Sequence, residues 1–128
     1  MKVIICGGGV IGTSTAYFLS QRNVEAVVVE RTGVANGASG KSGGFLALDW
    51  CDGSPLAPLA RRSFALHERL AADFETNWGY RPVETLGVVS SARRDISAYR
   101  KLPSPDWLGE GAAVHGQLGT PASTAQID

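Results

Sequence analysis

The chain has 128 residues with 12 basic and 12 acidic side chains, so no basic stripe marks a nucleic-acid partner and no like-charge block marks a solvated tail. Sixteen glycines are many for this length, and they crowd into two stretches, 7–12 and 33–44, a pattern that points to backbone approaching a ligand. Two cysteines give no disulfide framework, and no stretch approaches the ~20 apolar residues that span a bilayer.

Val3 to Cys6 is a continuous apolar run, the mark of a strand buried on both faces of a helix-covered parallel sheet. Gly7, Gly9 and Gly12 then fit G-x-G-x-x-G. Gly7 allows the tight turn, Gly9 lets a pyrophosphate approach the backbone, and Gly12 lets the following helix pack close to the sheet. The helix is expected from about Val10 to Gln21 or Arg22, with Ile11, Ala16, Phe18 and Leu19 on its buried side and a left-handed cap at Asn23. The amides of Val10 and Ile11, at its positive end, are candidate phosphate donors. Ala26 to Val29 is the second buried strand, closed by Glu30, whose carboxylate is placed to accept from ribose hydroxyls. This is strand, glycine turn, helix, strand, acid: a βαβ unit for a dinucleotide, with FAD and NAD both open at this point.

Residues 32–49 are polar and glycine-rich, and residues 37–44 read either as a surface loop or as a second backbone cradle for a cofactor. Ser54 and Pro55 signal a helix start, and Leu66, Leu70, Phe74 and Trp78 carry an apolar stripe to about Trp78, where Gly79 ends it. Residues 82–91 read as a strand interrupted by Gly87. A short helix or a polar loop follows at 96–102, and prolines and glycines then punctuate the tail, which shows no clear element. Cys6 is expected in the core. His67 is expected solvated beside the helix's charged stripe, and His115 has no evident partner.

An open parallel sheet needs more strands than these, and nothing near residue 128 reads as a closing element. The chain is therefore expected to be the amino-terminal part of a larger protein. With no leader-like segment ahead of Lys2 and no disulfide framework, the expected compartment is the cytoplasm.

The run Val3-Ile4-Ile5-Cys6-Gly7-Gly8-Gly9-Val10-Ile11-Gly12, with Ala16-Tyr17 after it, resembles the amino terminus of FAD-dependent oxidoreductases of the D-amino-acid oxidase, glycine oxidase and sarcosine oxidase type. Glu30-Arg31 is similar to their ribose-binding pair, and residues 37–44 followed by Phe45-Leu46-Ala47 look like the loop that runs past the pyrophosphate to the flavin. With Lys41 and Asp49-Trp50-Cys51, the form is most similar to a yeast and plant subgroup of oxidoreductases. The resemblance implies an α/β fold with an incomplete FAD/NAD(P)-binding Rossmann-like βαβ unit. Residues 1–80 would be the start of the FAD-binding domain, and 81–128 the start of an antiparallel substrate domain. It implies FAD as cofactor, hydride transfer from a small amine or amino-acid-like substrate, and cofactor contacts at Gly7, Gly9, Val10, Ile11, Gly12, Glu30, Arg31, Ser39, Gly40, Ser42, Gly43 and Gly44. No catalytic residue and no metal site are assigned, and the oligomeric state is open. The rival readings are an NAD-linked dehydrogenase fragment and a truncated, non-catalytic remnant that binds nucleotide weakly.

Overall fold

In the computed structural model, which describes residues 1–128, the strand–turn–helix–strand unit is present as β1 (Lys2–Cys6), α1 (Val10–Ser20) and β2 (Glu25–Val29). β1 and β2 pair in parallel, with Val3 opposite Ala26 and Ile5 opposite Val28, and α1 makes the crossover that parallel pairing requires. Asn23 takes the left-handed conformation (φ 56°) just past the helix, and Val24 N donates to Leu19 O at 3.1 Å, closing the helix end as its sequence predicts.

The expectation of strands buried on both faces is corrected. Both strands alternate in exposure, because a two-stranded sheet with one helix has only one covered side. Ile5 lies against α1, close to Gly12, whereas Ile4 is 68% exposed and Val27, Val29 and Cys6 share that open side. Cys6 is thus a free, exposed thiol and not a core residue. Ile11 was also expected inside, but it is 81% exposed. The buried line of α1 runs through Gly12, Ala16 and Leu19, and Ile11 lies one residue, about 100° of helix rotation, off that line.

These elements belong to a first compact unit, Met1–Gly43; residues 44–128 form a second. In the second, β3 (Phe45–Ala47) and β4 (Arg81–Pro82) flank β7 (Thr124–Gln126) in an antiparallel three-stranded sheet. β5 (Thr85–Ser90) and β6 (Ala112–Gly119) make an antiparallel pair whose register shifts at Thr85/Leu86 and at Gly87/Val88. The expected strand over 82–91 is thus two strands, and the tail without clear elements supplies the longest strand of the chain and the centre of its three-stranded sheet.

The long helix is shorter than its stripe predicts: α2 is Ala57–Asp73. At its start the Ser54 hydroxyl donates to Cys51 O (2.7 Å) and accepts from Leu56 N (3.2 Å), so Ser54 builds a turn and Pro58 supplies the first-turn proline. At its end Phe74 is extended (ψ 134°), so Trp78 lies outside the helix. There its ring stacks on His67, 6.0 Å between centroids, while His67 Nδ1 lies 2.8 Å from Ser63 O. His67 is therefore a packed residue, and His115, with Nδ1 3.3 Å from Tyr99 O, also has a partner.

The core of the second unit sits where β6 and β7 lie: Ala113, Val114, Thr124 and Ala125 are fully buried. Thr124 is the polar member. Its hydroxyl donates to Val83 O at 2.7 Å and accepts from Thr85 Oγ1 at 3.1 Å, so burial leaves it satisfied. No helix is long and apolar enough to cross a membrane.

Candidate functional site

The glycine turn between β1 and α1 needs glycine for two different reasons, backbone conformation at Gly7 and close approach at Gly12. Gly7 N donates to Val29 O at 2.8 Å, extending the parallel ladder by one step, and Gly7 then turns away at φ +109°, a conformation that favours glycine. A Cβ on Gly12 would stand 2.0 Å from Gly7 O, so only glycine lets α1 start this close to the turn. A Cβ on Gly9 would lie 2.9 Å from Ser39 Oγ.

That last contact shows how the second glycine-rich stretch reaches the first. Ser39 begins a 3-10 turn, Ser39–Lys41, and its Oγ accepts from Val10 N at 2.8 Å, serving the first helical amide as a cap supplied from outside the helix. Gly8 O accepts from Ala35 N at 3.0 Å, and Ala35 O accepts from Gly40 N at 2.9 Å. A Cβ on Gly40 would sit 2.2 Å from Ala35 O, so Gly40 is needed for the fold of this loop. The first helical ladder bond runs from Thr13 N to Gly9 O (3.0 Å), which leaves the amides of Ile11 and Gly12 as free donors at the positive end of the helix. No acidic residue stands in that first turn to repel an anion.

Glu30 meets the turn from the other side. Gly8 N donates to Oε2 at 2.7 Å, and Thr32 donates to Oε1 through N (2.8 Å) and Oγ1 (3.1 Å). The Gly8 amide, followed by Thr32, favours the carboxylate and lowers its pKa from 4.5 to about 2. Each carboxylate oxygen has two acceptor sites, so Oε2 keeps one for a further donor. The set is two free helix amides, the Ser39 hydroxyl held at Val10 N and a fixed anionic acceptor at Glu30. It is chemically suited to the two charged and polar ends of an adenosine diphosphate group, its pyrophosphate and its ribose.

The remaining expected contacts divide. Arg31 and Ser42 are exposed, and of the two Arg31 takes part in the site only through its backbone, which donates to the Glu30 carboxylate. Gly43 closes the first unit, while Gly44 opens the second. Gly44 has φ +65°, its carbonyl accepts from Ile127 N at 2.8 Å, and a Cβ there would meet Ile127 O at 2.1 Å, so a role in the β3–β7 edge accounts for this glycine. Gly8 and Thr32 are the contributors that the motif does not mark. G-x-G-x-x-G treats Gly8 as free, and the signal that it is not free is the third consecutive glycine, since a Cβ there would lie 3.2 Å from Glu30 Cβ.

The family model for FAD-dependent oxidoreductases of the D-amino-acid oxidase type matches residues 2–123. The chain belongs to this family of FAD-dependent oxidoreductases. Its Rossmann-like class agrees with the parallel β1–β2 pair and the antiparallel sheets after it. Among curated relatives, the chain is 37% identical over 109 residues to a provisionally named oxidoreductase of Saccharomyces cerevisiae, covering 78% of this chain and 20% of that protein. It is 35% identical over 118 residues to another provisionally named oxidoreductase, from Schizosaccharomyces pombe, covering 86% and 28%. A D-amino acid dehydrogenase of Xylella fastidiosa is 37% identical over 83 residues, 61% of this chain and 19% of the relative. The chain thus spans between about a fifth and somewhat over a quarter of the length of these relatives. No solved structure matches the chain at a significant level.

Proposed function

We propose that residues 7–12, Glu30 and Ser39 form the adenosine-diphosphate end of the FAD site in an oxidoreductase acting on a small amine or amino-acid-like substrate. The observation that carries this is the pair of cross-links to the glycine turn, Gly8 N to Glu30 and Val10 N to Ser39, which gather a fixed carboxylate and a hydroxyl around free helix amides. In this reading Ile11 and Gly12 donate to pyrophosphate oxygens. Ser39, whose oxygen already accepts from Val10, directs its proton outward to the same phosphates, and the free site on Glu30 Oε2 accepts from the ribose. Gly9 keeps that approach open, and Gly40 holds the loop that carries Ser39. Arg31, Ser42, Gly43 and Gly44 are proposed as outer contacts along the cofactor. Bound FAD supplies the acceptor for a hydride from a carbon next to nitrogen, the chemistry that the protein itself lacks.

The partition proposed is residues 1–80 for the amino-terminal part of the FAD-binding domain and 81–128 for the start of a substrate domain. It draws support from the change from parallel to antiparallel pairing along the chain. The free thiols of Cys6 and Cys51 suit the cytoplasm as the proposed compartment. The 128-residue chain holds no assigned catalytic residue, so it is expected to retain FAD on gel filtration yet form no peroxide when amino acids are supplied. Flavin-dependent peroxide from this chain alone, or no retained flavin from a folded chain, contradicts the proposal.

A further inference from the structure

The segment after β5 carries a concentration of charge that neither the flavin reading nor the fold uses. Residues 92–101 hold four cations, Arg93, Arg94, Arg100 and Lys101, against one acid, Asp95. None of the four side chains has a carboxylate partner, since the ion pairs of the chain are made by Lys2, Arg61 and Arg81. Among these cations stands the exposed Ser97, which opens a 3-10 turn, Ser97–Tyr99. Arg94 is three residues before it and Arg100 three after, and no other arginine of the chain has a serine or threonine three places on. The segment is also lightly held. Ser91 N donates to Gly111 O at 3.1 Å and Lys101 N to Val114 O at 2.9 Å, which pins its two ends. Between them the bonds are local, from the amides of Arg93 and Arg94 to Ser91 Oγ and from Ser97 to Asp95, apart from His115 Nδ1 at 3.3 Å from Tyr99 O. Exposed local bonds open at small cost, so the segment can extend into the cleft of a partner while β5 and β6 stay paired.

We propose that Ser97 is a phosphorylation site for an arginine-directed protein kinase, and that the phosphate exchanges the Asp95 partner for the neighbouring arginines. In the transfer, Ser97 Oγ attacks the terminal phosphorus of a nucleoside triphosphate. The Oγ–P bond forms, the bond from that phosphorus to the bridging oxygen breaks, the nucleoside diphosphate leaves, and the hydroxyl proton passes to the catalytic base of the kinase. Arg93 and Arg94 are the recognition groups, and they are free for acidic side chains of the kinase because no carboxylate of this chain holds them. Before transfer, Ser97 N and Oγ donate to Asp95 Oδ1 at 2.9 Å and Oδ2 at 3.0 Å. A phosphoserine carries about −1.5 to −2 charge at pH 7 and is repelled by that carboxylate. It leaves Asp95, and the unpaired guanidiniums of Arg94 and Arg100 receive it in charge-assisted bonds. The turn that then opens carries Tyr99, whose carbonyl and ring meet His115 of β6, with 6.2 Å between ring centroids. The modification is thereby felt at the β5–β6 pair. The inference does not rest on the dinucleotide cradle, because every residue in it belongs to the second unit.

The test supplies the folded 128-residue chain with magnesium ATP and one of two kinases, and maps the phosphate by mass spectrometry. Calmodulin-dependent protein kinase II reads an arginine three residues before its acceptor, and casein kinase 2 reads an acid three residues after it, where this chain has Arg100. The first is expected to modify Ser97 and the second to leave it unmodified. Arg94→Ala, at an exposed position, should slow modification of Ser97 about tenfold, the scale of one charge-assisted contact, whereas Arg69→Ala on α2 should leave the rate unchanged. In the modified chain the phosphoserine should titrate below its ordinary value of about 6, return toward it in Arg100→Ala, and shift the ring signals of His115. No phosphate on Ser97, phosphate there only when the chain is unfolded in urea, an unchanged rate in Arg94→Ala, or equal modification of Ser97 by casein kinase 2 overturns the site. A phosphoserine that titrates at about 6 with His115 unmoved overturns the exchange of partners. None of these outcomes bears on FAD binding by the first unit.

Discussion

Glu30 is both the structural tie of the glycine turn and the acceptor proposed for the ribose. Its carboxyl ionises lower in the folded chain than in an unfolded one, because Gly8 and Thr32 donate to the charged form. The folded state is therefore favoured by its ionisation. This contribution is complete above the ordinary value of 4.5 and is lost as pH falls through about 2. An NMR titration of the Glu30 side chain should give a midpoint of about 2, and a midpoint at the ordinary carboxylate value contradicts the bonds described. The glycines make a second test. In Gly12→Ala the new methyl meets backbone, the Gly7 carbonyl, which cannot swing away, so a loss of about 2–3 kcal/mol is expected in denaturant melts. In Gly9→Ala the methyl meets only the Ser39 hydroxyl, which can rotate at the expense of its bond to Val10 N. That change should cost about 1 kcal/mol, and it should cost no more in a Ser39→Ala background, where the obstructing atom is gone.

The first helix shows what local sequence can specify. Asn23 holds a positive φ, so Asn23→Val should lower stability by about 1–2 kcal/mol whereas Asn23→Gly should leave the thermal midpoint nearly unchanged. Signals of this kind, a glycine at a turn, an asparagine at a helix end and an acid at a strand end, act within a few residues, which is why β1, α1, β2 and Glu30 were legible in advance. The ends of α2 were not. Whether Ser54 caps a helix or closes a turn depends on where its hydroxyl goes, and the stripe from Leu66 to Trp78 continues past the point where Phe74 leaves the helix. β6 was invisible for a different reason. Ala112-Ala113-Val114-His115-Gly116-Gln117-Leu118-Gly119 is rich in small residues with little strand preference, and it is a strand because β5 pairs with it. Ser39 was marked by resemblance, but its partner Val10, 29 positions away, follows only from the fold.

For the molecule as a whole, two cores of different character follow. The second unit encloses Val114, Ala113, Thr124 and Ala125, while the sheet of the first keeps Ile4, Cys6, Val27 and Val29 on an open side. The open side explains why apolar runs predicted a doubly covered sheet: the residues have the composition of buried strands, but one helix covers only one face. The family assignment rests on a match across residues 2–123, and the residues proposed for the dinucleotide cradle, 7–12, Glu30 and Ser39, lie entirely within the first unit. The central claim is that this cradle recognises the adenosine-diphosphate part of FAD. The most direct test is amide hydrogen exchange of the 128-residue chain with FAD, with FMN (which lacks that part) and in the Glu30→Gln variant. FAD is expected to slow exchange at Gly8 to Gly12 and Thr32 in the unsubstituted chain. FMN should give little protection, and Glu30→Gln should remove most of the FAD effect. Equal protection by FMN, FAD protection that survives Glu30→Gln undiminished, or an exchange pattern at Gly8 to Gly12 that FAD leaves unchanged contradicts it.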